Sequence, residues 1–175
     1  MRSVGEVQWM VGATTCAVPS ECATTFVAEP HGTMYTGLHH FHSYVAYLAL
    51  LGLIIAVVHS LMALSSKRKF DATSKRIVLF GLVSCHVQML FGLFLYFVSP
   101  LGFSNLSKET MGIAIQRLYA LEHPLTMLLA ITLITVGYSK AKRTVEDERK
   151  YKLIARFYAV GLVLILSRIP WGAWL

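Results

Sequence analysis

The sequence predicts an all-α fold, a four-helix transmembrane up-down bundle, and three observations predict it. First, 55% of the 175 residues are hydrophobic and only 14% are charged, and the mean hydropathy is +0.58. That is too apolar for an ordinary soluble domain of this length. Second, four apolar stretches each approach the ~20 residues that span a hydrocarbon core. Third, the Lys and Arg residues gather beside those stretches: five lie in residues 67–76 and seven in 140–156, of 16 in all. The formal charge of +7 therefore reads as a membrane-topology signal, and no nucleic acid partner is expected.

The first stretch runs from Phe41 to Leu64 and the second from Ile77 to Val98, where Pro100 and Gly102 end it. The third runs from Leu118 to Tyr138. The fourth runs from Leu153 to Ile169 and on to Trp171, and Trp171 and Trp174 read as interfacial anchors. The expected helices are thus 41–64, 77–98, 118–138 and 153–171. The loops KRKFDATSKR and KAKRTVEDERKYK fall on one side of an up-down bundle, and their basic character makes that side cytoplasmic. The opposite connection, residues 99–117, holds only Lys108 and Arg117 as basic residues. Both termini are then expected on the periplasmic side, in a multi-pass protein of the inner (cytoplasmic) membrane. Residues 1–33 alternate polar and small residues without the pattern of a signal peptide. They read as a poorly ordered or mis-assigned extension ahead of a membrane domain at 34–175, with Met34 as the expected start. Cys16, Cys22 and Cys85 form neither a zinc pattern nor CxxCH, so any heme here would be non-covalent.

Ionisable residues within membrane spans are costly and call for partners. His42 lies just inside the outer end of the first helix, and His123 lies one to two turns inside the outer end of the third. Helices one and three of an up-down bundle are diagonal, so the two imidazoles can face each other across the core. Small residues share their faces: Ala46, Ala49 and Ala56 beside His42, Ala120 and Ala130 beside His123. They leave room for a flat macrocycle, although close helix packing favours the same residues. Pro124 cannot donate to the Ala120 carbonyl, so a local kink can re-aim His123. Arg117 and Arg168, near the outer helix ends, are candidate partners for heme propionates, while an ion pair between Glu122 and Arg168 would satisfy both groups without a cofactor. His59 is rotated about 100° off the His42 face and cannot serve the same heme. His86 reads as interhelical polar glue or the lining of a quinone pocket. His39, His40 and His42 cannot all point one way, which weakens a surface copper or zinc site.

The segments GLHHFHSYVAYLALLGL, HVQMLFGLFLYFVSP, RLYALEHPLTMLLAITLITVG and LILSRIPWGAWL together resemble a family of small four-helix bacterial membrane proteins labelled cytochrome b-like. The resemblance covers nearly everything after Met34. A more distant likeness is to one half-bundle of heme A synthase, in which heme lies between histidines of alternate helices around a Q-x-x-x-G-like stretch. Gln88 and Gly92 match that stretch, and His42 and His123 fall on the corresponding ligand helices. The acidic residue of that family before its first histidine is replaced here by Phe41, and the second half-bundle has no counterpart.

The expectation is a b-type cytochrome-like electron carrier, with non-covalent heme b between helices one and three and His42 and His123 as axial ligands to the iron. Its partners would be the lipid bilayer, other membrane subunits and a quinone or cytochrome redox partner. The alternatives are a cofactor-free accessory subunit of a larger membrane complex and a quinol-reactive or heme-modifying enzyme using His86 and Glu122 to handle protons.

Overall fold

The computed structural model describes residues 30–173, with side chains for residues 34–172; Cys16, Cys22 and Trp174, and residues 1–29 of the expected extension, lie outside the described residues. Its elements are helices: α1 (Pro30–Ser65), α2 (Ala72–Val98), two short helices α3 (Lys108–Gly112) and α4 (Ala114–Arg117), α5 (His123–Arg143) and α6 (Asp147–Ser167). No strand occurs among the described residues. Three helical runs are long and apolar enough to cross a membrane: Met34–Ser65, Ala72–Val98 and Ala114–Arg143, the last passing from α4 into α5. The fourth long helix, α6, differs in its first half, where Asp147, Glu148, Arg149, Lys150, Lys152 and Arg156 fall within three turns.

The helices run beyond the apolar windows because hydropathy marks where lipid begins, while caps decide where a helix ends. At ~1.5 Å per residue the 36 residues of α1 extend about 54 Å, well past a ~30 Å hydrocarbon core. Helix α2 begins five residues before Ile77 because Asp71 caps it, accepting the Ser74 amide at 2.8 Å. Helix α6 begins at Asp147 because Asp147 and Glu148 suit the positive end of the helix dipole. They also reach Lys150 at 2.9 Å and Lys152 one turn on.

The long helices close a ring in which α1 touches α2 and α6, and α5 touches α2 and α6, so α1 and α5 stand on opposite sides. The two ends of this ring are packed differently. Toward the 66–71 and 144–146 connections the interior is dense: Leu53, Ala56, Val78, Ile134, Ile154 and Tyr158 are fully buried. Their cluster takes in all four helices. Toward the other end the helices part around a cavity. Outside, Tyr44, Leu48, Phe80, Leu90, Phe94, Phe97, Leu125 and Val163 are each at least half exposed. A coat of that size on every long helix is costly in water and ordinary in lipid.

Candidate functional site

Each of the four helices turns a stripe at helical spacing toward this cavity. From α1 come Tyr35, His39, His42, Ala46 and Ala49, and from α2 come Cys85, Gln88, Gly92, Tyr96 and Ser99. The α5 side supplies Tyr119, His123, Met127 and Ile131, and Ile165 and Ile169 close it from α6 and just beyond. The cavity volume is about 390 Å³, within the usual range for a small-molecule site. Its lining is apolar apart from the histidines, Gln88 and a few hydroxyls.

His123 owes its place to an irregular backbone. Residues Leu118–Glu122 form one π-helical turn, and the His123 amide closes it on the Leu118 carbonyl five residues back. Pro124 follows and has no N–H for the Ala120 carbonyl. Tyr96 of α2 supplies the missing donor, its hydroxyl lying 2.9 Å from Ala120 O. The wide turn thus absorbs the proline ring, and the bond from α2 fixes the point from which His123 projects. Its Nδ1–H donates to the Arg168 carbonyl at 2.7 Å, one of the free carbonyls past the last turn of α6. A neutral ring bonded in this way carries its lone pair on Nε2, the arrangement that orients metal-ligating histidines.

His42, on the opposite wall, is held differently. The Gln88 amide nitrogen lies 3.0 Å from the His42 carbonyl and 3.2 Å from His42 Nε2. Both His42 Nδ1 and Gln88 Oε1 are buried without a hydrogen-bond partner. Gly92 abuts the Cε1 edge of the ring: a Cβ there would stand 2.9 Å from His42 Cε1, so only glycine leaves the imidazole its seat. Two unsatisfied buried polar atoms in an apolar chamber are costly, and they fit a site built to receive something.

The two arginines gather at Glu122 and not on the cavity wall. Arg117 Nε lies 2.8 Å from Glu122 Oε1 and its Nη1 2.7 Å from the Met111 carbonyl, while Arg168 Nε is 3.7 Å from Glu122 Oε2. The Glu122–Arg168 pair expected from the sequence thus forms part of a three-residue cluster. Arg168 reaches the site itself through its backbone carbonyl. Either guanidinium would have to share or leave Glu122 to meet a propionate, and Arg168, half exposed and at the longer distance, is the freer.

The other histidines stand apart. His59 lies at the dense end, with Nε2 3.0 Å from Ser74 Oγ; Ser74 also bonds Asp71 and Tyr151, each at 2.7 Å. This cluster ties α1, α2 and α6 together, and the hydrogen bonds from the Ser74 side chain and amide hold the Asp71 carboxyl below the usual aspartate range. His86 Nδ1–H donates to Leu82 O at 2.9 Å, and its Nε2 lies 3.3 Å from Thr135 Oγ1 of α5. His39 lines the cavity beside His42, and His40 is exposed.

Sequence reasoning singled out Gln88 and Gly92 only through a resemblance and passed over Tyr96. The signal was present: Cys85, Gln88, Gly92, Tyr96 and Ser99 recur every three or four residues, one polar-and-small stripe on an otherwise bulky helix. Among the described residues no three His, Cys, Asp or Glu side chains gather as a metal site; His42 and His123 line the cavity from opposite helices. The chain matches no family model, and comparison with curated proteins and with solved structures finds no match.

Proposed function

We propose that the chain is a b-type cytochrome-like protein of the inner membrane that holds non-covalent heme between His42 and His123. It would pass single electrons in or beside a respiratory assembly. In this reading α6 is a fourth crossing, its charged first half standing in the cytoplasmic interface with Arg156 snorkelling toward water, and both termini lie outside.

The observation that carries the proposal is the pair of histidines on opposite helices lining one apolar cavity, with His123 oriented through a carbonyl. The residues fit the group: His123 offers a lone pair, His42 lies across the chamber, Gly92 leaves its ring room, and the lining is mostly apolar. Heme, when bound, supplies the one-electron iron chemistry. The chain would supply two ligands, a largely apolar chamber that disfavours added charge, and an outer rim of two arginines around one glutamate.

A second reading, a cofactor-free accessory subunit of a larger membrane complex, draws on that same rim. Glu122 already satisfies both arginines, and buried polar contacts such as Gln88–His42 serve helix association as well as they serve a ligand.

The deciding measurement is a reduced-minus-oxidised visible spectrum of purified, heme-supplemented protein with His42→Ala and His123→Ala variants. The expected result is a b-type spectrum weakened in both variants and most severely in His123→Ala. A featureless spectrum from the intact protein would leave the accessory-subunit reading standing.

A further inference from the structure

The hydrogen bonds around His42 fix more than its position. A backbone carbonyl only accepts, so the Gln88 group 3.0 Å from the His42 carbonyl must be its NH₂. This fixes which way round the amide lies. The second amide hydrogen then faces His42 Nε2 at 3.2 Å, and that nitrogen must be the acceptor. A neutral imidazole has one lone pair and one N–H, so the proton of His42 sits on Nδ1, buried without an acceptor. Gln88 Oε1 is correspondingly buried without a donor. The ring is therefore held with its usual iron-binding nitrogen already engaged, the reverse of the orientation His123 takes from the Arg168 carbonyl.

We propose that Gln88 is a positioning residue that holds His42 through Nε2, so that His42 becomes an axial ligand only by giving up the Gln88 amide. The two histidines are then unequal. His123 is a standing ligand and His42 an exchangeable one. While Gln88 keeps the ring, the His42 side of the chamber is open to a small neutral ligand such as carbon monoxide. The first half of this inference concerns the chain alone; the second rests on the heme reading.

The test uses the full-length chain labelled with ¹⁵N-histidine, as wild type, Gln88→Leu and Gln88→Asn, with His42→Ala to assign the resonance. In metal-free protein His42 should be protonated on Nδ1 in the wild type. It should shift toward the Nε2-protonated form in both variants, because leucine has no donor and asparagine is too short to reach carbonyl and ring together. Protonation on Nε2 in the wild type, or a resonance unmoved by Gln88→Leu, overturns the positioning role. In heme-loaded protein the ratio of six-coordinate low-spin to carbon-monoxide-accessible form should rise about tenfold in Gln88→Leu, the equivalent of one hydrogen bond of about 1.4 kcal/mol. An unchanged ratio overturns the exchange of ligands. If no variant takes up heme, the heme reading falls, and the tautomer of His42 decides the role of Gln88.

Discussion

Pro124 leaves the Ala120 carbonyl without its helical donor, and Tyr96, from a neighbouring helix, fills the gap. Ala120 is fully buried, so water can reach its carbonyl only through the space that the Tyr96 hydroxyl now fills. Tyr96→Phe should therefore cost about 1 kcal/mol, or somewhat more if the carbonyl stays unsatisfied. In a Pro124→Ala background, where residue 124 regains an N–H, the same change should cost less. Thermal unfolding of the four proteins in one detergent gives the coupling, and purely additive losses would show that tyrosine and proline act independently. Asp71 makes a different case, since it stands in the connection before α2 and its pKa is lowered by Ser74. A carboxyl with a depressed folded pKa contributes stability above its ordinary value of 3.8 and loses it as pH falls through the lower folded value. The stability advantage of the wild type over Asp71→Asn should thus be flat from neutral pH to about 5 and shrink below about 4. An advantage independent of pH would mean that only cap geometry matters. His42, His123 and the rim arginines were legible as residues because charge in an apolar run is conspicuous. The bond from Tyr96 and the clamp by Gln88 were not, since each depends on which atoms face across two helices.

Helices α5 and α6 approach through glycine. A Cβ at Gly137 of α5 would collide with the Phe157 Cβ, and one at Gly161 of α6 would lie 2.5 Å from Ile134 Cγ1. Neither neighbour can swing away easily, because Phe157 Cβ is fixed to its backbone and Ile134 is fully buried. Gly137→Ala should force the pair apart and cost about 1–3 kcal/mol. Gly37→Ala, with nothing within 4 Å of the added carbon, should be neutral or mildly stabilising. Equal effects at the two sites, measured by unfolding in detergent, would refute the close-contact account. The sequence showed where each long element crosses apolar surroundings but not where it begins. The cap at Asp71, the π turn before His123 and the small helices within residues 99–117 follow from local hydrogen bonding, which hydropathy does not register.

At the scale of the molecule, one end of the ring is filled with aliphatic and tyrosine side chains and the other encloses the histidine-lined chamber. The same helices thus form a packed core at one depth and enclose a cavity at another. The diagonal placement of α1 and α5 was legible because up-down order, with short connections at 66–71 and 144–146, leaves few other arrangements. The number of crossings is harder to read, since α6 combines a highly charged first half with an apolar second half, while its buried face, from Tyr151 and Ile154 to Tyr158 and Gly161, packs into the bundle along both halves. Single cysteines at exposed positions, in a background with Cys16, Cys22 and Cys85 replaced by alanine, separate the cases. Ser104→Cys lies between α2 and α3, Val145→Cys between α5 and α6, and Gly172→Cys beyond α6. With a membrane-impermeant maleimide on right-side-out membranes, Ser104→Cys should label at once and Val145→Cys only after lysis, as the basic loops dictate. Gly172→Cys should follow Ser104→Cys if α6 crosses. Labelling together with Val145→Cys would leave α6 on the cytoplasmic side. Arg168 lies only four residues before Gly172, so that result would also remove the Arg168 carbonyl from the outer end and, with it, the orientation of His123 on which the heme reading depends.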